Sequence, residues 1–270
     1  DFTEHPYYGW YYGSMDRFEH TPNGPIVSEY GAQALPDVES LAQMVGAEKL
    51  WPPDFAAWAY HDFQYDQTFN VARIGLGTSI EEFVANSQEY QARLLKLATE
   101  SYRMAKFTKI ASLFQFMFVD CWPAITWSVV DYGRKPKKGY WALARAFQPV
   151  LPCIVRERER MVAGLKLLKE IWVVNDLPHP YPDCVIEATL EDSAGLVREH
   201  KMYSVQVPPN QAARVYSVSP GADEWCVTDT LEPGDYSLRL ALRTADGDLL
   251  GENDYQVAVL RSSGVFCMEF

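Results

Sequence analysis

The stretch that decides the fold is "IASLFQFMFVDCWP", residues 110–123. Its first part, "IASLFQFMFV" (110–119), is apolar, rich in aromatics and uncharged, and it ends abruptly at Asp120. Such a run is too short to span a bilayer and reads as a β-strand buried on both faces. Upstream lies Ser79-Ile80-Glu81-Glu82, the pattern of a helix capping box. Apolar positions at Ile80, Phe83, Val84, Tyr90, Leu94, Leu97, Ala98, Tyr102 and Met104 follow at helical spacing, so a helix extends from there to about Phe107. Downstream, "KKGYWALARAFQPV" (137–150) reads as a short helix that ends at Pro149. Further upstream, "GPIVSEYG" (24–31) gives a second strand, Ile26-Val27-Ser28, again closed by an acid, Glu29. Strand, helix, strand and helix with buried strands is the order of an α/β barrel or a doubly wound sheet.

After Pro152 the texture changes. "LKEIWVVND", "CVIEATLED", "HKMYSVQV", "ARVYSVS", "EWCVTDT", "DYSLRLALRT" and "DYQVAVL" are short β-type runs. Turn signals separate them: Asp192-Ser193-Ala194-Gly195, Pro208-Pro209-Asn210, Pro233-Gly234-Asp235 and Asp246-Gly247. This spacing predicts an immunoglobulin-like β-sandwich over 153–270, with Trp172 in its core. The preceding 1–152 form an α/β unit.

Composition narrows the partners. The chain has 270 residues and a formal net charge of −12, and its longest charged run is the mixed stretch Arg156 to Arg160. Nucleic acid and anionic membrane surfaces are therefore excluded as expected partners, and no apolar run is long enough for a membrane span. Five widely spaced cysteines (Cys121, Cys153, Cys184, Cys226 and Cys267) include no C-x-x-C pair, so structural zinc is not expected. Free thiols in a reducing compartment are the simpler reading, which favours a cytoplasmic location. The start at Asp1-Phe2-Thr3 reads as the middle of something longer. Nothing calls for a cofactor or a metal.

Two constellations can carry chemistry. In barrels of this kind the active site lies at the C-terminal ends of the strands. Glu29 is placed there to act as nucleophile or acid/base, against the alternative of a capped or ion-paired structural acid. Asp120, Trp122 and Trp127 cluster where the second buried run ends. Aromatic faces beside a carboxylate can stack and hydrogen-bond a sugar, or the two tryptophans can simply plug the rim. His61, in "AYHDFQYD" (59–66), can hold a sugar hydroxyl or pack a loop. Asp131 and Tyr132 are expected to fix the loop that follows. Gly75-Leu76-Gly77 lacks the third glycine and the strand of a dinucleotide loop.

Together these stretches resemble the C-terminal part of family 2 glycoside hydrolases, particularly the β-mannosidase-like branch. The resemblance rests on "GPIVSEYGAQALPDVESL" (24–41), on residues 90–150 with the D-C-W-P, W-S, D-Y-G-R, K and Y pattern, and on "IWVVND" (171–176). It implies a (β/α)8 TIM barrel, of which 1–152 is the C-terminal part, followed by the sandwich. It implies a retaining exo-β-glycosidase, with Glu29 as the nucleophile after the seventh strand. Residues 110–120 would be the eighth strand, and Asp120 and Trp122 would line the subsite nearest the cleaved bond. The substrate would be a β-linked glycoside.

Two departures qualify this. Many relatives read W-Q-L-N-D before C-W-P, whereas this chain has Phe116-Met117-Phe118-Val119-Asp120. The family's acid/base glutamate follows an asparagine after the fourth strand, and no such pair is present. A retaining enzyme needs two carboxyls about 5–5.5 Å apart. The chain is thus expected to carry the nucleophile without its partner and to be inactive alone, the missing N-terminal part of the parent being its complement. The alternative is a non-catalytic carbohydrate-binding or structural module. A few strands cannot close an eight-stranded barrel, so association through exposed barrel edges is expected.

Overall fold

A computed structural model describes residues 2–19, 24–156, 160–162, 167–217, 225 and 231–260. Cys226, Cys267 and most of the expected strand "EWCVTDT" lie outside the described residues. The chain divides into two compact units, Asp1–Phe147 and Gln148–Phe270.

The first unit centres on three very short parallel strands, β1 (Thr3–Glu4), β2 (Ile26–Val27) and β3 (Ser112–Leu113), in the order β1-β2-β3. Around them lie α1 (Val38–Val45), α2 (Phe55–Tyr60), α3 (Ile80–Met104) and α4 (Lys138–Ala146). The capping box at α3 forms in shifted form. The Ser79 hydroxyl accepts from the Glu82 N–H, but the Glu82 carboxylate accepts from the Thr78 N–H and hydroxyl rather than from Ser79. One apolar cluster runs through the unit and includes Trp10, Val27, Tyr30, Leu41, Trp58, Phe83, Leu94, Tyr102 and Val129.

The run 110–119 is not one strand buried on both faces. Only Ser112–Leu113 is strand, and Phe114 and Phe118 are exposed. Its hydrogen-bond partners explain why. Up to Phe116 the chain bonds to β2 and the segment after it: the Phe114 N–H to the Val27 carbonyl at 2.9 Å and the Phe116 N–H to the Tyr30 carbonyl at 3.0 Å. From Met117 onward it turns to its own downstream segment. The Met117 N–H bonds the Trp127 carbonyl at 3.3 Å, and the Val130 N–H bonds the Phe118 carbonyl at 2.9 Å.

The second unit is two sheets about a shared apolar core. One has the order β5-β11-β10-β7-β8 and the other β4-β6-β9. These are β4 (Val150–Arg156), β5 (Arg160–Met161), β6 (Leu168–Asn175), β7 (Tyr181–Asp192), β8 (Val197–Val207), β9 (Ala212–Ser217), β10 (Gly234–Arg243) and β11 (Leu249–Val259). Alternation is clear in β10 and β11, where Leu238, Leu240, Leu242, Tyr255, Val257 and Val259 point inward. Three of the expected turns are present, at 192–195, 208–210 and 246–247, whereas Gly234 and Asp235 already belong to β10. At 192–195 the Asp192 carboxylate accepts from the Ala194 and Leu196 N–H groups, and Gly195 takes the left-handed φ of +79°.

Trp172 is not a core residue. Ile171 and Val173 face inward on β6, so residue 172 faces outward by strand alternation, half-buried, and its indole N–H bonds Glu170 at 2.6 Å. The aromatic filling the core is Trp225, fully buried, which donates to the Tyr203 hydroxyl at 2.5 Å.

Candidate functional site

Glu29 stands two residues past the end of β2, the central strand of the first unit's sheet. The Tyr7 hydroxyl donates to its Oε2 at 2.7 Å, and the His5 Nδ1 lies 3.7 Å from the same oxygen. The carboxylate side chain is about one-third exposed, at 34%. Burial, and then the bond to the adjacent carboxylate, push the Tyr7 hydroxyl well above the ordinary tyrosine range, so it remains a protonated donor.

A wall of rings packs around Tyr7, the donor to this acid. Trp127 lies 6.2 Å from both Tyr7 and Tyr11 and 5.8 Å from Phe116, and Tyr7 lies 6.5 Å from Phe116. Trp127 is half-buried, and its indole Nε1 has no hydrogen-bond partner. Gly31 fits here because a Cβ on it would stand 2.5 Å from the Phe116 carbonyl oxygen. That contact explains the glycine that follows Glu29-Tyr30.

Beside this wall runs a polar rim. The buried Gln33 donates to the Asp62 carbonyl at 2.8 Å and to its carboxylate at 3.3 Å, and accepts from the Gln64 N–H at 3.2 Å. Gln64 in turn accepts from the Trp10 indole at 2.9 Å and donates to the Tyr11 hydroxyl at 3.0 Å. Asp62 is exposed in the left-handed conformation, with φ of +68°. For a non-glycine residue that conformation is held only by its surroundings, here Gln33. Partial burial raises its carboxyl pKa.

His61 and Trp122 stack, with ring centroids 5.7 Å apart and planes 21° off parallel. The His61 Nδ1 lies 2.8 Å from the Pro123 carbonyl. A carbonyl can only accept, so Nδ1 carries a proton, and in the neutral ring Nε2 is left as an acceptor. Trp122 is 41% exposed, and Tyr60 stands edge-on to both rings. His61 thus packs the loop that carries Trp122.

Asp120 is placed differently from a residue lining a subsite. It is 1% exposed, and both its carboxylate oxygens are used within the chain. One accepts from the Thr126 hydroxyl and the other from the Ser128 hydroxyl at 2.7 Å. Its bonds close the loop that presents Trp122 and Trp127. Asp131 closes the next turn through its Oδ1 and the Lys135 N–H at 2.8 Å, while Tyr132 is exposed.

Buried polar side chains fix the segment after Glu29. Gln91 of α3 donates to the carbonyls of Ala32, Trp127 and Ser128 at 2.9, 3.2 and 3.1 Å. Ser87 accepts from the Leu35 N–H at 3.0 Å, and Gln88 donates to the Leu35 carbonyl at 3.1 Å. Lys137, the N-cap of α4, reaches the same two loops from the other side.

Among the described residues no group of His, Cys, Asp and Glu is arranged to hold a metal. No helix among them is long and apolar enough to cross a membrane.

No family model matches the chain. It is similar to β-mannosidase B of Aspergillus niger, 28% identical over 186 residues, which covers 63% of this chain and 22% of that protein. It is likewise similar to β-mannosidase B of Aspergillus clavatus, 26% identical over 218 residues, covering 74% and 26%. The chain therefore spans about a quarter of the length of these relatives. Among solved structures, the β-D-mannosidase of Dictyoglomus thermophilum matches 95% of this chain and 30% of that one, with a TM-score of 0.74 at 23% identity. The exo-chitosanase of Amycolatopsis orientalis, bound to a β-D-glucosamine derivative, matches 94% and 30% with a TM-score of 0.68 at 15% identity. At such identities the structural matches establish a shared fold, and the sequence matches carry the kinship. Over most of its length the chain resembles the C-terminal part of family 2 glycoside hydrolases, in their β-mannosidase-like branch.

Proposed function

We propose that this chain is the C-terminal part of a retaining exo-β-glycosidase acting on β-mannosides, with Glu29 as its nucleophile. Residues 1–147 are then the last strands and helices of a (β/α)8 barrel, and 148–270 an immunoglobulin-like sandwich whose strand β4 begins at Val150, before the boundary at 152 expected from the sequence. The observation that carries the reading is the Tyr7–Glu29 pair at the end of β2, with Trp127 packed against Tyr7. A carboxylate held by one phenol and still partly open to solvent is fixed in direction and free to attack. It would form a bond to the anomeric carbon as the glycosidic C–O bond breaks. A second carboxyl protonates the departing oxygen and then takes a proton from the water that releases the sugar. Among the described residues the groups in contact with Glu29 are a phenol and an imidazole, and the family resemblance puts the second carboxyl after the fourth barrel strand, in the parent's N-terminal part. Trp122, His61 and Asp62 would face the sugar, with the His61 Nε2 and the Asp62 carboxylate taking hydroxyls. The exposed Phe2, Phe114 and Phe118 are the surface at which the rest of the barrel, or a second copy, would be met.

The test is labelling of the full-length parent with a 2-deoxy-2-fluoro-β-mannosyl fluoride, followed by peptide mapping. The expected product is a single fluorosugar ester on Glu29. An ester on any other carboxylate overturns the assignment. One observation favours a second reading, a carbohydrate-binding module without catalysis. Met117 and Val119 stand where the W-Q-L-N-D pattern of the family resemblance has Gln and Asn. A parent that binds mannosides but neither hydrolyses them nor takes the label would support it.

A further inference from the structure

Among the buried ionisable groups that the mechanism just described leaves unused, Lys137 sits between the two loops of the site. Lys137 is 1% exposed, and its ammonium lies 2.8 Å from the Ala34 carbonyl, 3.0 Å from the Ser128 hydroxyl and 3.4 Å from the Thr126 carbonyl. Three donors meet three acceptors drawn from two loops. Ala34 belongs to the segment that follows Glu29. Thr126 and Ser128 flank Trp127, and their hydroxyls bind the two oxygens of Asp120. The charges acting on the ammonium are the carboxylates of Asp120 and Asp131, both buried. Arg134 bonds the Asp120 backbone carbonyl at 3.1 Å.

We propose that Lys137 is a positioning residue, whose ammonium latches the segment after Glu29 to the Trp127 loop and so holds Trp127 against Tyr7, the donor to the acid. The consequence for hydrolysis rests on the function proposed above; the latch itself does not. An apolar side chain of similar volume would fill this space without the cost of burying a charge. The position instead carries a cation whose every donor ends on a loop of the site.

Burial outweighs the pull of the two carboxylates and lowers the Lys137 pKa to about 8. When the ammonium releases its proton to solvent, it keeps two donors and gains a lone pair. The Ser128 hydroxyl can then turn to that lone pair, taking its bond away from the Asp120 Oδ2. The wall loosens from the Asp120 side. The effect on global stability has the opposite sign. The folded-state pKa lies below the unfolded value near 10.4, so the unfolded chain binds more protons between the two. The Lys137 contribution to stability therefore rises with pH from about 8.

The experiment uses the full-length protein carrying 5-fluorotryptophan, with the Trp127 resonance assigned by Trp127→Phe. In the wild type and in Glu29→Ala alike, that resonance is expected to shift with a midpoint near pH 8. In Lys137→Arg it should stay constant to beyond about pH 9.5, since arginine does not titrate there. On an aryl β-mannoside, Lys137→Met is expected to lower kcat about tenfold, the loss of one charge-assisted bond, with KM little changed. Lys137→Arg should restore most of that loss. A Trp127 resonance that is flat across this pH range in the wild type overturns the latch, and needs no variant that must fold. A wild-type kcat in Lys137→Met does the same. If the wild type shows no hydrolysis, the function proposed above fails, and the fluorine titration still decides the latch.

Discussion

At the scale of single residues, the Tyr7–Glu29 bond is the contact most directly open to test. A hydrogen bond to a charged group contributes about 1.5–3 kcal/mol, or roughly ten- to a hundredfold in rate if it is needed in the transition state. Tyr7→Phe in the full-length protein is therefore expected to lower kcat by about that factor on aryl β-mannosides, with a small change in KM. Steady-state kinetics unchanged from wild type would remove Tyr7 from the mechanism. Glu29 is legible in the sequence because an acid closes a short apolar run. Tyr7 is not, because "HPYYGWYYG" offers several tyrosines and no spacing that singles one out. Lys137 is hidden for a different reason: in "GRKPKKG" it reads as one more surface charge. Only the fold shows that its neighbour Lys138 is exposed and pairs with Glu89, whereas Lys137 turns inward.

At the scale of elements, α3 and α4 hold the site's loops, and two substitutions probe them. Ser79→Ala removes the N-cap acceptor of α3 and is expected to cost about 1 kcal/mol. Gly139→Ala is expected to cost more, about 1–3 kcal/mol, because its Cβ would stand 2.5 Å from the Gln91 Oε1. Gln91 holds Ala32, Trp127 and Ser128, so Gly139→Ala should also lower activity, and Ser79→Ala should not. Chemical denaturation with parallel rate measurements separates the two, and equal effects on activity would contradict this account. The long helix was readable because its cap and its apolar spacing agree over many turns. The run 110–119 was not, because an unbroken apolar string says nothing of its pairing, and here the partner changes after Phe116. Likewise Trp172 and Trp225 look alike as residues, and only the fold shows that one faces outward from β6 while the other is buried in the core. Trp225→Ala is expected to cost about 3–5 kcal/mol, and Trp172→Ala much less, by thermal or urea unfolding. The reverse order would mean that the core is wrongly assigned.

At the scale of the whole molecule, each unit has its own apolar cluster: residues 7 to 129 supply one and residues 150 to 259 the other. A piece spanning 148–270 is thus expected to unfold cooperatively on its own, seen as a single urea transition with a matching loss of near-ultraviolet dichroism. A gradual, non-cooperative change would show that it leans on the first unit. The shift in sequence texture near residue 150 was visible because alternating runs with turn residues between them differ from helical spacing. How eight strands sort into two sheets was not, since strand order depends on pairings far apart in the chain.

The mounting of Glu29 has one further consequence. β2 has no free edge: the Ile26 and Ser28 N–H groups bond Phe2 and Glu4 on one side, and the Pro25 and Val27 carbonyls accept from Ala111 and Phe114 on the other. In terms of amide hydrogen exchange, Ile26 and Ser28 can open only when strand pairing itself is lost, whereas the loops bearing Trp122 and Asp62 can breathe through smaller fluctuations. The acid is thus the fixed point of the site, and any adjustment to a sugar falls to the loops around it.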